Sequence, residues 1–257
     1  MKIKSAIFTV LLLVVSASCV FAQGSAGSAA GFESRYVVDM PTAGMLPDGS
    51  YSVDVLAFNS GGITTTVQAA PFSWFNVGLS FGGTDIIGQG IVDWQDLPGF
   101  HAKIRILNET LTVPALVLGL DTQGKGKYSA SAKRYQTQSA GVFLAASKNF
   151  RWKLGTVAVH GGINYSFEPV PSKRFLNFWG GAEQSLGDNA SICLEFNPTL
   201  DDNLSAYTET KGLLNLGLRW SLAYGLTIQF QVRDILENKT GSIGSDRTLG
   251  LEYISYF

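Results

Sequence analysis

Two histidines, His101 and His160, and one cysteine beyond residue 22, Cys193, are the side chains best suited to bond-making chemistry. A serine nucleophile needs a histidine base beside it, and an acid–histidine hydrolase needs its pair at an accessible rim. Both histidines fall inside extended segments rather than at their ends, so no catalytic residue is assigned and the chain does not read as an enzyme. Two histidines and one thiol are too few for a Cys/His zinc cluster, and no metal ligand is assigned. Gly82-Gly83 and Gly88-Gln89-Gly90 do not join a strand to a helix, so they lack the context of a phosphate-cradling loop. Asp121-Thr122-Gln123-Gly124 is only a fragment of a calcium loop. Cys193, on the polar side of its segment, reads as a small packing residue. No cofactor is called for.

What remains is the chemistry of charge. Asp54, His101, Lys103, Arg105, Glu195, Arg219, Arg233 and Glu252 each sit on the polar side of an alternating segment, with Gln68, Asp121, Gln229 and Gln231 among them. Their signs are mixed. Side chains of this kind, gathered on one face, set the selectivity of a polar path or pair with each other to avoid lone burial. Pairs such as Lys103 or Arg105 with Glu195 or Glu252 are expected.

The elements that must position them are strands. From Phe72 to Gly82, Phe75, Val77, Leu79 and Phe81 alternate with Asn76, Gly78, Ser80 and Gly82, an unbroken period of two. The pattern recurs over Leu214–Leu222, Tyr224–Arg233 and the terminal stretch LEYISYF. Weaker versions cover Ser52–Phe58, Gly62–Ala69, Phe100–Leu107, Val113–Asp121, Gly141–Ser147, Lys153–Tyr165, Phe175–Ala182 and Ala190–Asn197. This makes about twelve segments of roughly 8 to 12 residues, the span of a tilted strand in a bilayer. A soluble sandwich or cup would also use amphipathic strands. The connections favour the membrane: Ala70-Pro71, Glu109–Thr112, Lys148–Trp152, Gln184–Asn189 and Ser221–Tyr224 are short, and those between them, after the first, are long. Trp74, Phe100, Trp152, Phe196, Trp220, Tyr224, Tyr253 and Phe257 lie at or near segment ends, where aromatic rings meet the headgroup zone. An open edge is prohibitive in hydrocarbon, so the last strand is expected to pair with the first. The fold class expected is all-β: a single transmembrane antiparallel up-and-down β-barrel of about 12 strands over residues 49–257, both ends on the short-turn side.

The two ends of the chain set the compartment. Lys2 and Lys4, the apolar stretch Ala6–Val15 and the triplet Val20-Phe21-Ala22 read as a signal peptide over residues 1–22. Cys19 has Ser16 three residues before it, where a lipid-anchor motif wants leucine. Removing residues 1–22 leaves 17 basic and 20 acidic side chains, a net charge of −3, which points away from nucleic acid as a partner. No run of about 18 or more apolar residues survives to form a helical span. Gln23–Gly31 is a Gly/Ala/Ser leader, and Phe32–Asp48 is either a plug inside the barrel or a segment at its rim. The C-terminal Tyr253 and Phe257 are similar to the aromatic signal read by the outer-membrane assembly machinery. The partners expected are thus outer-membrane lipid and that machinery, and the location the outer membrane of a Gram-negative-type bacterium.

Four blocks carry a family likeness: Ala70-Pro71-Phe72-Ser73-Trp74-Phe75-Asn76-Val77-Gly78-Leu79-Ser80, then Gly99–Leu107, Val113–Asp121 and Leu144–Phe150. In this order and at these distances the chain resembles the barrel portion of YjbH-like outer-membrane proteins. That resemblance implies a barrel associated with exopolysaccharide production or export. YjbH-like chains are far longer and offer no agreed catalytic motif, so no residue inherits a role. The function expected is a narrow passive channel or export component for a hydrophilic solute, with polysaccharide as one such partner. Beside it stand a structural or surface-interaction barrel with a closed lumen and, with least support, a barrel hydrolase.

Overall fold

The computed structural model describes residues 32–169, 175–202, 207–209, 211–223, 225–240 and 244–257. The signal-peptide reading of 1–22, the leader 23–31 and the rim position of Tyr224 lie outside the described residues. Among the described residues the chain forms β1 (Ser50–Phe58), β2 (Gly62–Phe72), β3 (Phe75–Thr84), β4 (Asp93–Trp94), β5 (Gly99–Leu107), β6 (Ala115–Asp121), β7 (Lys125–Ser129) and β8 (Arg134–Thr137). They are followed by β9 (Gly141–Trp152), β10 (Gly155–Tyr165), β11 (Asn177–Leu186), β12 (Ala190–Asn197), β13 (Leu213–Ala223), β14 (Leu226–Arg233) and β15 (Asp246–Tyr256).

Twelve of these strands make one closed antiparallel cylinder. β1 pairs with β2, and the ladder continues through β3, β5, β6, β9, β10, β11, β12, β13, β14 and β15. It closes on β1 through a register that sets Ser50 against Tyr256 and Ala57 against Leu249. Closure satisfies the N–H and C=O groups that an open sheet would leave at its edges. β4 adds a short flap on β3, and β7 and β8 form a separate hairpin between β6 and β9. Among the described residues no helix is long and apolar enough to cross a membrane, which says nothing of crossing by strands.

The period-two reading assigns the two faces. Leu79 is 56% exposed, while Ser80 and Asn76 beside it are buried. Val67, Ile104, Leu118, Val159, Ile163, Leu194, Leu218, Phe230 and Leu251 are likewise exposed on the outer surface. So many outward aliphatic side chains, with polar residues behind them, invert the arrangement of a water-soluble protein and match a lipid-facing belt. Trp74, Phe100, Trp152, Phe196, Trp220, Tyr253 and Phe257 are all exposed. Phe72 and Trp74 stack at the short-turn rim, and Tyr51 stacks on Phe257.

Some segment boundaries differ from the sequence reading. The β2–β3 turn is Ser73-Trp74 rather than Ala70-Pro71, because β2 runs on through Pro71 at a register irregularity, where a residue without an N–H costs no ladder bond. The β9–β10 turn is Lys153-Leu154, not Lys148–Trp152, since the paired hairpin continues past the last apolar alternation. Backbone pairing needs no alternation once the strands leave the belt. In the β13–β14 turn, Gly225 has φ +77°, and a Cβ there would lie 2.1 Å from the Ile254 carbonyl oxygen, so only glycine fits.

Candidate functional site: the barrel interior

Residues 32–48 lie inside the cylinder. The segment enters beside the short-turn rim, where Phe32 and Leu46 pack with Ala70 and Ile254. It turns over at Val37–Met40 through the bond from Val37 N–H to Met40 O, and returns to Pro47, whose carbonyl caps the start of β1. A peptide in this position cannot join the closed ladder, so its backbone groups need side-chain partners. The inward side chains of the wall supply them.

Lys103 uses all three ammonium hydrogens on carbonyls of the segment: Arg35 O at 2.7 Å, Thr42 O at 3.2 Å and Gly44 O at 3.2 Å. Glu195 does the converse. Its Oε2 accepts the backbone N–H groups of Val38, Asp39 and Met40 at 2.9, 2.9 and 2.8 Å, while Oε1 accepts from Asn215. Arg219 donates to the carbonyls of Tyr36 and Val37 and pairs with Glu183 at 2.8 Å. Arg233 pairs with Asp39 at 2.8 Å. Arg105 pairs with Glu33 at the mouth. Asp54 and Glu252, opposite each other across the closing seam, both receive the guanidinium of Arg35.

The expected pairing of Lys103 or Arg105 with Glu195 or Glu252 is therefore not what forms. All four bind residues 32–48 instead, because that segment brings its own charges and unpaired backbone groups into the space between the walls. The interior is also less polar than the alternation implied. Val117, Phe143, Ala145 and Trp179 face inward and pack on Met40, Ala43 and Met45. Along β11 and β13, Gly181 and Gly217 leave room for Val37 and Val38; a Cβ on Gly181 would come within 2.7 Å of Val37 Cγ1. Cys193 is fully buried beneath these two valines.

His101 joins a constellation that sequence spacing did not reveal. Its Nε2 lies 2.9 Å from Ser80 Oγ, and its Nδ1 lies 3.2 Å from Asp121 Oδ1 and from the Tyr36 hydroxyl. The order Ser–His–Asp has the geometry of an acyl-transfer triad. The Ser80 hydroxyl, however, donates to Gln123 at 2.7 Å, and Gly99 packs so closely that a Cβ there would lie 2.3 Å from Ser80 Oγ. No substrate carbonyl fits beside that oxygen, and the group serves as a hydrogen-bonded strut across β3, β5 and β6. The registers Gly78↔His101 and His101↔Asp121 are what bring it together, and they are visible only once the strands are paired. His160 bonds Ser147, whose Oγ also accepts the Ala43 N–H. Among the described residues no group of three or more His, Cys, Asp or Glu is placed to hold a metal ion.

Above Arg35 the interior opens into a cavity of about 100 Å³ walled by Asp54, Gln68, Gln229, Gln231, Arg233 and Glu252 and roofed by Lys125. A hydrogen-bonded row runs along it from Arg233 through Gln231 and Gln229 to Glu252. The β7–β8 hairpin closes over the long-loop rim. Arg134 holds Asp202 through two bonds of 2.8 and 2.6 Å, and Glu168 accepts the backbone N–H groups of Tyr135 and Ser139. Burial pushes the Glu168 carboxyl up to about 7 even against those two donors.

Three solved structures are similar to this chain at low identity. The KdgM porin is 10% identical, with 81% of this chain and 99% of that one covered and a TM-score of 0.48. The NanC porin is 8% identical, covering 80% and 99%, with a TM-score of 0.44. OmpT of Vibrio cholerae is 6% identical, covering 80% and 98%, with a TM-score of 0.30. No protein-family model and no curated protein sequence matches the chain. The likeness to YjbH-like proteins thus rests on the quoted blocks alone, and the barrel on its own ladder of strands.

Proposed function

We propose that the chain is an outer-membrane β-barrel providing a narrow passive route for a hydrophilic solute, with residues 32–48 occupying the route in the state seen. One observation carries this reading: a column of ionic and amide side chains runs inside a closed cylinder whose outer surface is apolar. Selectivity would come from mixed charges at close quarters, with Arg105 at the mouth and Arg233, Gln231, Gln229 and Glu252 along the wall, and would involve no bond-making step. An exopolysaccharide-related solute is the narrower form of the proposal, supported by the YjbH-like blocks. Tyr253 and Phe257, exposed at the end of β15, fit the aromatic signature of an assembly signal read before the barrel closes. The alternative, a structural barrel with a permanently closed lumen, is favoured by the density of contacts that hold residues 32–48.

The two readings part when the lumen is emptied. Residues 33–46 are replaced by a Gly/Ser linker of equal length, folding is checked by heat-dependent migration on a gel, and the protein is added to a planar bilayer. Discrete conductance steps are expected. Adding Arg105→Glu should move the reversal potential toward cation preference. A folded, emptied barrel that stays silent would sink the passage reading.

A further inference from the structure

We infer that residues 32–48 are a displaceable stopper, held by a latch of Lys103 and Glu195 and withdrawn toward the short-turn rim. This deepens the passage reading and rests on it for its consequence.

Three features carry the inference. The first is independence from the sheet. All twelve barrel strands are paired without the segment, and its internal backbone bonds, Val37 N–H to Met40 O and Thr42 N–H to Arg35 O, close it on itself. It can therefore leave without breaking a ladder bond. The second is its route. Both ends sit at one rim: Phe32 lies 6.4 Å from the Tyr256 ring, and Ser50, just after the segment, is opposite Tyr256. A loop with both ends on one side withdraws with no threading.

The third feature is the kind of contact that holds it. Lys103 gathers three carbonyls and Glu195 three N–H groups, so two wall residues satisfy six backbone groups of the segment. When an apolar core is pulled apart, its surfaces meet water at a cost proportional to their area. A charged side chain that releases a backbone group into a water-filled lumen is hydrated in exchange. The stopper's grip is thus largely of the kind that water can replace. The ion pairs of Arg35 with Asp54 and Glu252, Arg233 with Asp39 and Arg105 with Glu33, the Arg219 bonds to the Tyr36 and Val37 carbonyls, and small apolar patches at Met40 and Met45, at Val37 and Val38, and at Phe32 and Leu46 supply the residual hold. The residues that grip are also the ones a solute would meet once the stopper has gone.

Cys193 is a built-in reporter of this motion, because it is buried under Val37 and Val38 and faces the interior. The experiment is the labelling rate of Cys193 by a permanently charged methanethiosulfonate, in the full-length chain reconstituted in vesicles, with Cys19→Ser if residues 1–22 are retained. Wild type is compared with Lys103→Met, Glu195→Gln and Lys103→Met/Glu195→Ala, and each is shown to be closed and folded by heat-dependent gel migration. A rate rise of at least about tenfold in the double variant, the factor that 1.4 kcal/mol makes in an equilibrium, is expected, with smaller rises in the single variants. If the double variant does not fold, the single variants read the same quantity. An unchanged rate in folded latch variants would overturn the inference. Conductance of the same proteins separates the two readings. Faster labelling with conductance supports both, whereas faster labelling in a silent bilayer leaves a moving stopper and removes the passage. Conductance without faster labelling overturns the stopper.

Discussion

Arg35 occupies the point where the barrel closes. β1 and β15 set Asp54 directly opposite Glu252, two like charges that would weaken the seam if left facing each other. The guanidinium of Arg35 bridges them and also donates to Ser52 at 2.7 Å. Arg35→Ala should therefore cost about 3 kcal/mol of barrel stability, the range measured when one partner of a buried ionic cluster is removed. Adding Asp54→Asn and Glu252→Gln should recover most of it, because amides facing one another need no counter-charge. The check is the gel-shift midpoint of the three proteins on heating, and a triple variant no more stable than Arg35→Ala would mean that packing, not charge, sets the cost. Asp54 and Glu252 were legible in the sequence as inward side chains because alternation exposes them. Arg35 was not, since residues 32–48 follow no period, and a segment held by side-chain contacts leaves no rhythm to read.

At the scale of elements, the β7–β8 hairpin shows the same limit. The stretch Thr122–Ser139 reads as loop, rich in Gly, Ser, Lys and Gln, yet it folds over the long-loop rim because neighbouring loops hold it: Asp202 on Arg134, and Glu168 on the Tyr135 and Ser139 amides. Those anchors lie far apart in sequence, so local composition carries no trace of them. The Glu168 anchor gives a pH dependence with a definite sign. Its carboxyl, raised by burial to about 7 in the folded protein, binds a proton more tightly there than in an undocked loop with an ordinary value of 4.5. Its contribution to docking is fully present below the ordinary value and is lost as pH rises through about 7. Amide exchange at Tyr135 and Ser139, corrected for intrinsic rate, should lose protection between pH 6 and 8, taken as roughly one unit either side of that value. Glu168→Gln should flatten the dependence. Protection that instead rises with pH would mean that the ionised carboxylate, holding its two N–H donors, is the docking form.

The molecule as a whole was the most legible level, for a physical reason. Closure, strand number and face assignment all follow from one repeated constraint, that each strand shows acyl chains to one side and a polar interior to the other. Phe75–Phe81 and Leu214–Leu222 state that constraint without interruption, and turns could slip by several residues at Ala70-Pro71 or Lys148 without disturbing it. What the pattern could not convey was how the interior is filled, because an inward side chain looks the same in sequence whether it meets water, another wall or residues 32–48. The same constraint gives the whole-molecule test. Leu194 lies midway along β12 and is 49% exposed on the outer belt. In a water-soluble protein, Leu194→Arg would be neutral or would aid solubility, as surface charges do. In a bilayer it should cost about 2–4 kcal/mol, the penalty for arginine near the midplane of a barrel wall. Urea titration of the refolded protein in thin-acyl vesicles, read by tryptophan fluorescence, should show that loss. Asp188→Arg, in the β11–β12 turn beyond the belt, should show well under half of it. Equal effects at the two positions would mean that the apolar belt does not meet lipid, and the membrane assignment of the entire chain would fall with it.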